Sequence, residues 1–166
     1  LEYRVLAEWI ASGVPGPRAD DPQIERLEVL PAESQQIVGA KQQLVVLAHF
    51  SDGRVEDATR WAKYTSVNMS VASVDERGLV SIAGEGEAAI KVWYLNQNVV
   101  AVLTAPSQAS ATERIAAAPR RSFLDELSLA KLAALGMAPS PRCDDATFLR
   151  RAYLDTIGTL PTADEA

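Results

Sequence analysis

Few side chains in this 166-residue sequence could do acid–base, metal or nucleophilic chemistry, and they are scattered. His49 is the only histidine and Cys143 the only cysteine. A histidine can ligate a metal or move a proton near neutral pH. A structural zinc centre, however, wants about four Cys or His ligands, and a lone cysteine excludes an intramolecular disulfide. Cys143 has no neighbouring His or basic helix start to make it a nucleophile, so it reads as an ordinary thiol. Asp20-Asp21 and Asp144-Asp145 supply carboxylates, but calcium takes about six to eight oxygens and no loop has EF-hand spacing. Linker solvation and helix capping are their simpler roles. Arg150 and Arg151 could grip a carboxylate or phosphate. Consecutive helical residues point about 100° apart, so at most one faces inward, and Arg151 reads as an ion-pair partner of Asp155, four residues on. There is no G-x-S-x-G elbow, and no helix follows Gly84 and Gly86 to make a phosphate loop. No CxxCH is present to attach a c-type haem. No catalytic, cofactor-binding or metal residue is assigned, and no cofactor is expected.

Aromatic stacking is the remaining chemistry. Trp61, Trp93 and Tyr94 could form a platform for sugars. Tyr94 alternates inward with Ile90 and Val92, and Trp61 stands beside the core aromatic Tyr64. That leaves Trp93 as the one candidate binding residue, itself read as core or interface.

The elements that would position these residues change period along the chain. Residues 1–12 place Leu6 and Ile10 four apart beside Val5 and Trp9, a helical spacing ended by Gly13 and the run Val14-Pro15-Gly16-Pro17. Arg18 to Pro22 reads as a linker. Leu27 and Val29 then alternate with charge up to Pro31, and Leu44, Val46, Ala48 and Phe50 recur at every second position. Ser51-Asp52-Gly53-Arg54 is a hairpin signal. Short strands are predicted at 62–65, 72–74 and 79–82, with a turn at Asp75 to Gly78. Ala88, Ile90, Val92 and Tyr94 alternate again, and Asn96-Gln97-Asn98 is expected to turn the chain into a strand at 99–104. Short strands with turn signals every ten residues or so predict a sandwich or barrel. Val99 to Leu103 is apolar on both faces and its neighbour presents Trp93 and Leu95 outward, which predicts a covering layer there, with the flanking helices as candidates.

An Ala/Ser-rich linker at 107–121 leads to two predicted helices. Ser122 and Asp125 form a capping box before a helix carrying Phe123, Leu124, Leu127, Ala130, Lys131 and Leu135 and stopped by Gly136. The second helix starts near Asp144, is expected to bury Phe148, Leu149, Ala152 and Tyr153, and ends at Gly158. Thr162 and Glu165 signal a further helix start at the very end, and the first residue is not Met, so both ends read as cut from something longer.

Two segments resemble known families. Phe50-Ser51-Asp52-Gly53, Asp57-Ala58-Thr59, Tyr64-Thr65-Ser66, Val71 to Asp75, Gly78-Leu79-Val80 and Gly86 to Ile90 resemble the group 2 bacterial immunoglobulin-like family. That family usually has Trp where Tyr64 stands, so the hydroxyl here needs a partner. The resemblance implies a non-catalytic module of surface or secreted proteins, often adhesins. Phe123-Leu124-Asp125, Leu132 to Gly136, Phe148 to Asp155 and Gly158 to Thr162 look like the opening of a planctomycete cytochrome-associated domain of unknown function. In that family a c-type cytochrome commonly precedes the immunoglobulin-like insert, and Leu6 to Val14 looks like its last helix. Thr159 and Thr162 depart from the usual Gly-Leu-Pro-Pro.

The expectation is therefore a mainly β protein, an immunoglobulin-like β-sandwich with short α-helical segments at both ends. Its parts are a helical tail and linker at 1–22, the sandwich at 23–106, a linker at 107–121 and the helical start of a following domain at 122–166. The net charge of −6 and pI near 4.8 oppose nucleic-acid binding, which draws on Lys and Arg. No apolar run reaches the roughly 20 residues that span a bilayer, and no secretory signal opens the chain. The expected function is a non-catalytic spacer or adhesion-type interaction module of a larger extracytoplasmic protein. Its partners would be neighbouring domains of the same polypeptide, or protein or glycan at the cell surface. The alternatives are a fragment of a cytochrome-bearing redox or hydrolytic enzyme whose chemistry lies elsewhere, and a glycan-binding module.

Overall fold

The computed structural model describes residues 2–16, 18, 20–107, 111–163 and 165, the side chain of Glu2 aside. Parts of both expected linkers, at 17, 19 and 108–110, and the end residues 1, 164 and 166 lie outside the described residues. The chain divides into two compact units, Leu1–Ser107 and Gln108–Ala166.

The first unit opens with α1 (Glu2–Ala11), on whose exposed surface Arg4 and Glu8 pair at i,i+4. Among the described residues ten strands follow: β1 (Ile24–Leu30), β2 (Glu33–Gln35), β3 (Lys41–Gln43), β4 (Val45–Phe50), β5 (Val55–Asp57), β6 (Lys63–Ser66), β7 (Ala72–Val74), β8 (Leu79–Ile82), β9 (Gly86–Tyr94) and β10 (Gln97–Ala105). They form three sheets, β1-β4-β5, β3-β8-β7 and β2-β10-β9-β6. Only Leu44 separates β3 from β4, so the two three-stranded sheets share one run of chain. Side chains from all three sheets meet in one core, including Val29 and Val46, Val80 and Ile82, and Ile90, Val92 and Leu103. This is an immunoglobulin-like sandwich with helices at its ends. Full burial of each such aliphatic side chain contributes about 1.5–3 kcal/mol, which is why strict alternation fixes the register of β4 and β9.

The edge by β1 is closed by a change of sheet. Pro31 has no N–H to continue the β1 ladder, and beyond it the Val102 N–H donates to the Ala32 carbonyl at 2.8 Å. Strand β2 then runs parallel to β10, Leu103 facing Ser34. The Asp-Gly hairpin joins β4 to β5 as expected, with Phe50 N–H donating to Arg54 O at 2.9 Å.

Two expectations for the strands are corrected. The last hairpin turns at Leu95-Asn96, with Leu95 at φ 51°, while Gln97 and Asn98 are already paired with Tyr94 and Trp93. Within the first unit the face expected to be covered is open: Trp93 is 48% exposed and Val100 and Leu95 are exposed. Lys63, Lys91 and Asn98 share that outer face, and their polar heads keep it compatible with water.

The second unit holds α2 (Thr112–Ala117), α3 (Phe123–Ala134) and α4 (Asp145–Ile157). The stretch read as a linker thus folds in part as α2. Its Arg114 Nη2 donates to Pro139 O at 2.8 Å. The capping box of α3 is present, with Ser122 N–H donating to Asp125 Oδ2 at 2.9 Å. Leu129 is the buried residue of α3, whereas Leu127 is exposed. In α4, Leu149, Ala152 and Tyr153 are half-buried as the periodicity suggests, but Phe148 is 65% exposed rather than buried. Helices as short as α2 and α3 have too little surface to cover every apolar position of α4.

Candidate interaction surface

The outer face of the four-stranded sheet is set by pleat and register. Side chains of alternate β9 residues leave the core, so Lys91 and Trp93 point away from it while Ile90 and Val92 are fully buried. Across the ladders Trp93 stands between Lys63 and Asn98, and Lys91 between Thr65 and Val100. Trp61 lies two residues before the start of β6 and Leu95 immediately follows β9, so both sit at the same end of the sheet as Trp93.

Trp61, like Phe148, is more exposed than the sequence suggested. It is 66% exposed, more than Trp93, and so no part of the core. The turn after β5 explains it: Trp61 and Ala62 N–H groups both donate to Ala58 O at 2.9 Å, and the small Ala58 and Ala62 take the buried positions. Period-2 alternation does not govern a turn, so no strand pattern gives this direction. Tyr94 packs partly buried against the core as expected.

Tyr64 lies between the layers, and its hydroxyl finds the partner it needs in Thr59 O, 2.8 Å away. Burial, with Asp57 and Asp75 adding repulsion, pushes its phenol up to about 12. Two clefts flank it at the open side where β6 and β7 face each other. One of about 410 Å³ is lined by Arg60, Ala62, Lys63, Tyr64, Val74, Asp75 and Glu76. The other, about 220 Å³, is lined by Tyr64, Thr65, Ser66, Met69, Ser73 and Val74.

The remaining candidates are dispersed. His49 points outward from β4, its Nε2 2.7 Å from Glu28 Oε2 and its Nδ1 3.3 Å from Arg26 Nη2. Arginine can only donate, so Nδ1 accepts and the contacts assign the Nε2–H tautomer. The His49 and Arg26 contacts hold the Glu28 carboxyl below its usual range. Asp144 caps α4, accepting from Thr147 N–H at 2.7 Å, and Asp21 accepts from Arg18 N–H at 2.7 Å. Cys143 is exposed and free. No Arg151–Asp155 ion pair forms among the described residues. An exposed i,i+4 pair of this orientation gains little, and Asp155 is one methylene shorter than Glu8, which makes the equivalent contact in α1. Among the described residues no group of three or more His, Cys, Asp or Glu side chains could hold a metal ion. No helix described is long and apolar enough to cross a membrane.

Two family models match parts of the chain. The intimin immunoglobulin-like domain matches residues 61–94, from Trp61 through β9. PSCyt2, a protein of unknown function (DUF1549), matches residues 123–166, which hold α3 and α4. Neither match includes residues 6–14. No curated protein matches. Similar solved structures include the S-layer protein rSbsC(31-844), at 17% identity and TM-score 0.44, over 54% of this chain and 14% of that one. Domains 5-6 of SbsC align at 20% identity and TM-score 0.43, over 51% of this chain and 45% of that one. An EHEC O157:H7 intimin mutant aligns at 20% identity and TM-score 0.33, over 70% of this chain and 68% of that one. The chain thus spans only a small part of the first of these.

Proposed function

We propose that this chain is a non-catalytic interaction and spacer module of a larger extracytoplasmic protein, contacting partners through the end of the sheet that carries Trp61, Trp93 and Leu95. The observation that carries the reading is the gathering of these exposed apolar residues at one end of an otherwise well-packed sandwich, with Lys63 beside them. Tryptophan in such a position supplies large contact area at small entropic loss and is enriched at binding hot spots. The match of residues 61–94 to the intimin immunoglobulin-like domain supports a surface role. The match of 123–166 to a separate family supports a sandwich that spaces neighbours within one polypeptide.

Protease shaving of intact source cells tests the location: the reading expects release of sandwich fragments, and full protection in intact cells with cleavage only after lysis would overturn it. A glycan partner is a narrower version favoured by the two exposed tryptophans. Titrating polysaccharides while following tryptophan fluorescence tests it, with an unchanged signal counting against sugar and for protein contact.

A further inference from the structure

Strand β6 is the outermost strand of its sheet, and its ladder phase decides what its free side offers. The Val67 N–H donates to Ala89 O at 2.9 Å, just beyond the last paired residue, Ser66↔Ile90. Antiparallel pairing alternates, so Thr65 aims its backbone groups at β9, and Tyr64 and Ser66 aim theirs away. The other neighbour confirms this phase, since Val102 N–H bonds Ala32 and so Ala89, its partner, points to β6. On that side β6 has no ladder partner, since it is the last strand of its sheet and pairs with β9 alone among the described residues.

The two clefts lie along this same edge and differ in position by two residues. One meets β6 at Lys63 and Tyr64, after Ala62, and the other at Tyr64, Thr65 and Ser66. A shift of two residues is the repeat at which one face of a strand presents its side chains, about 6.5–7 Å. We infer that β6 accepts an extended polypeptide segment as an added antiparallel strand, hydrogen-bonded to Tyr64 and Ser66, with alternate side chains entering the two clefts. Main-chain bonds would supply affinity and the clefts selectivity. The smaller cleft, walled by Met69, Val74 and Tyr64, fits an aliphatic side chain. The larger one, holding Arg60 and Lys63 opposite Asp75 and Glu76, fits an uncharged polar side chain that both donates and accepts. In the antiparallel direction the aliphatic residue comes two before the polar one.

The edge at β5 makes the contrast. There Arg54 bridges Asp52 at 2.6 Å and Glu56 at 2.7 Å, a charged guard of the kind that keeps edges from pairing. Among the described residues no ion pair guards β6.

The inference deepens the interaction reading by naming one partner chemistry, and its site is separate from the tryptophan end. The test uses the whole chain and the peptide acetyl-Lys-Thr-Leu-Thr-Gln-Thr-Lys-amide, followed by amide chemical shifts in NMR. The expected result is saturable binding with the largest shifts at Tyr64 and Ser66. N-methylation of the Leu and Gln amides should weaken it at least tenfold, and Met69→Glu, at a side chain 73% exposed, should weaken it without unfolding the sandwich. Absence of saturation, or equal binding by the N-methylated peptide, would overturn the inference. So would self-association of the chain that protects the same two amides, because the occupant would then be a second copy. Any of these leaves the cellular location of the module, tested by shaving, untouched.

Discussion

Replacing Gly78 by alanine probes the packing at the centre of the sandwich. Gly78 has φ +76°, and a Cβ there would lie 2.9 Å from both Cζ and Oη of Tyr64 and 3.2 Å from Leu44 O. The ring is pinned by its hydroxyl on Thr59 O and by the core beneath it. A left-handed backbone costs a residue with a Cβ about 1–2 kcal/mol. Displacing the phenol forfeits a hydrogen bond with a net worth of about 1 kcal/mol. Removing a glycine from the unfolded chain returns about 0.4–1 kcal/mol, which leaves a destabilisation of roughly 2 kcal/mol. Gly53→Ala is the control, since Gly53 has φ +83° with nothing within 4 Å of its added Cβ, so only backbone strain applies. Urea unfolding followed by tryptophan fluorescence measures both. If Gly78→Ala loses no more stability than Gly53→Ala, the close approach to Tyr64 is not a constraint and the reasoning fails.

Other outcomes follow from single groups. Ser34 Oγ is buried with no hydrogen-bond partner among the described residues, so Ser34→Ala should raise stability by about 1 kcal/mol in the same urea assay, and a loss of that size would contradict it. The Tyr64 phenol is raised from 10.0 to about 12 in the folded state. The stability this proton confers is therefore complete below pH 10 and lost as pH climbs from 10.0 to about 12. Tyr64→Phe should remove that alkaline loss in urea midpoints taken across the range. His49 is the largest cause holding the Glu28 carboxyl low, so His49→Ala should move the Glu28 titration upward in carboxyl-detected NMR; an unmoved midpoint would dissolve the contact.

Legibility in the sequence followed the strength of burial. Strands β4, β8 and β9 were readable because one face of each is fully buried, and burial enforces a period of two. Strands β2 and β5 were not, since Glu33-Ser34-Gln35 and Val55-Glu56-Asp57 carry no alternation and owe their form to pairing with β10 and β4. Helix caps at Ser122 and Asp144 were legible because they are local hydrogen bonds. Exposure was the hard part. Trp61 sits in a turn whose backbone bonds aim it outward, and Phe148 has an amphipathic spacing that a small helical unit leaves half unused. The open edge of β6 was invisible, because an unpaired N–H depends on ladder phase and leaves no mark on residue type.

That phase also fixes which way Trp93 points, so both interaction regions stand on it. Amide hydrogen exchange across residues 64–67 reads it directly. The account predicts slow exchange at Thr65 and Val67, whose N–H groups face β9, and fast exchange at Tyr64 and Ser66. The opposite alternation, slow at Tyr64 and Ser66 and fast at their neighbours, would contradict it.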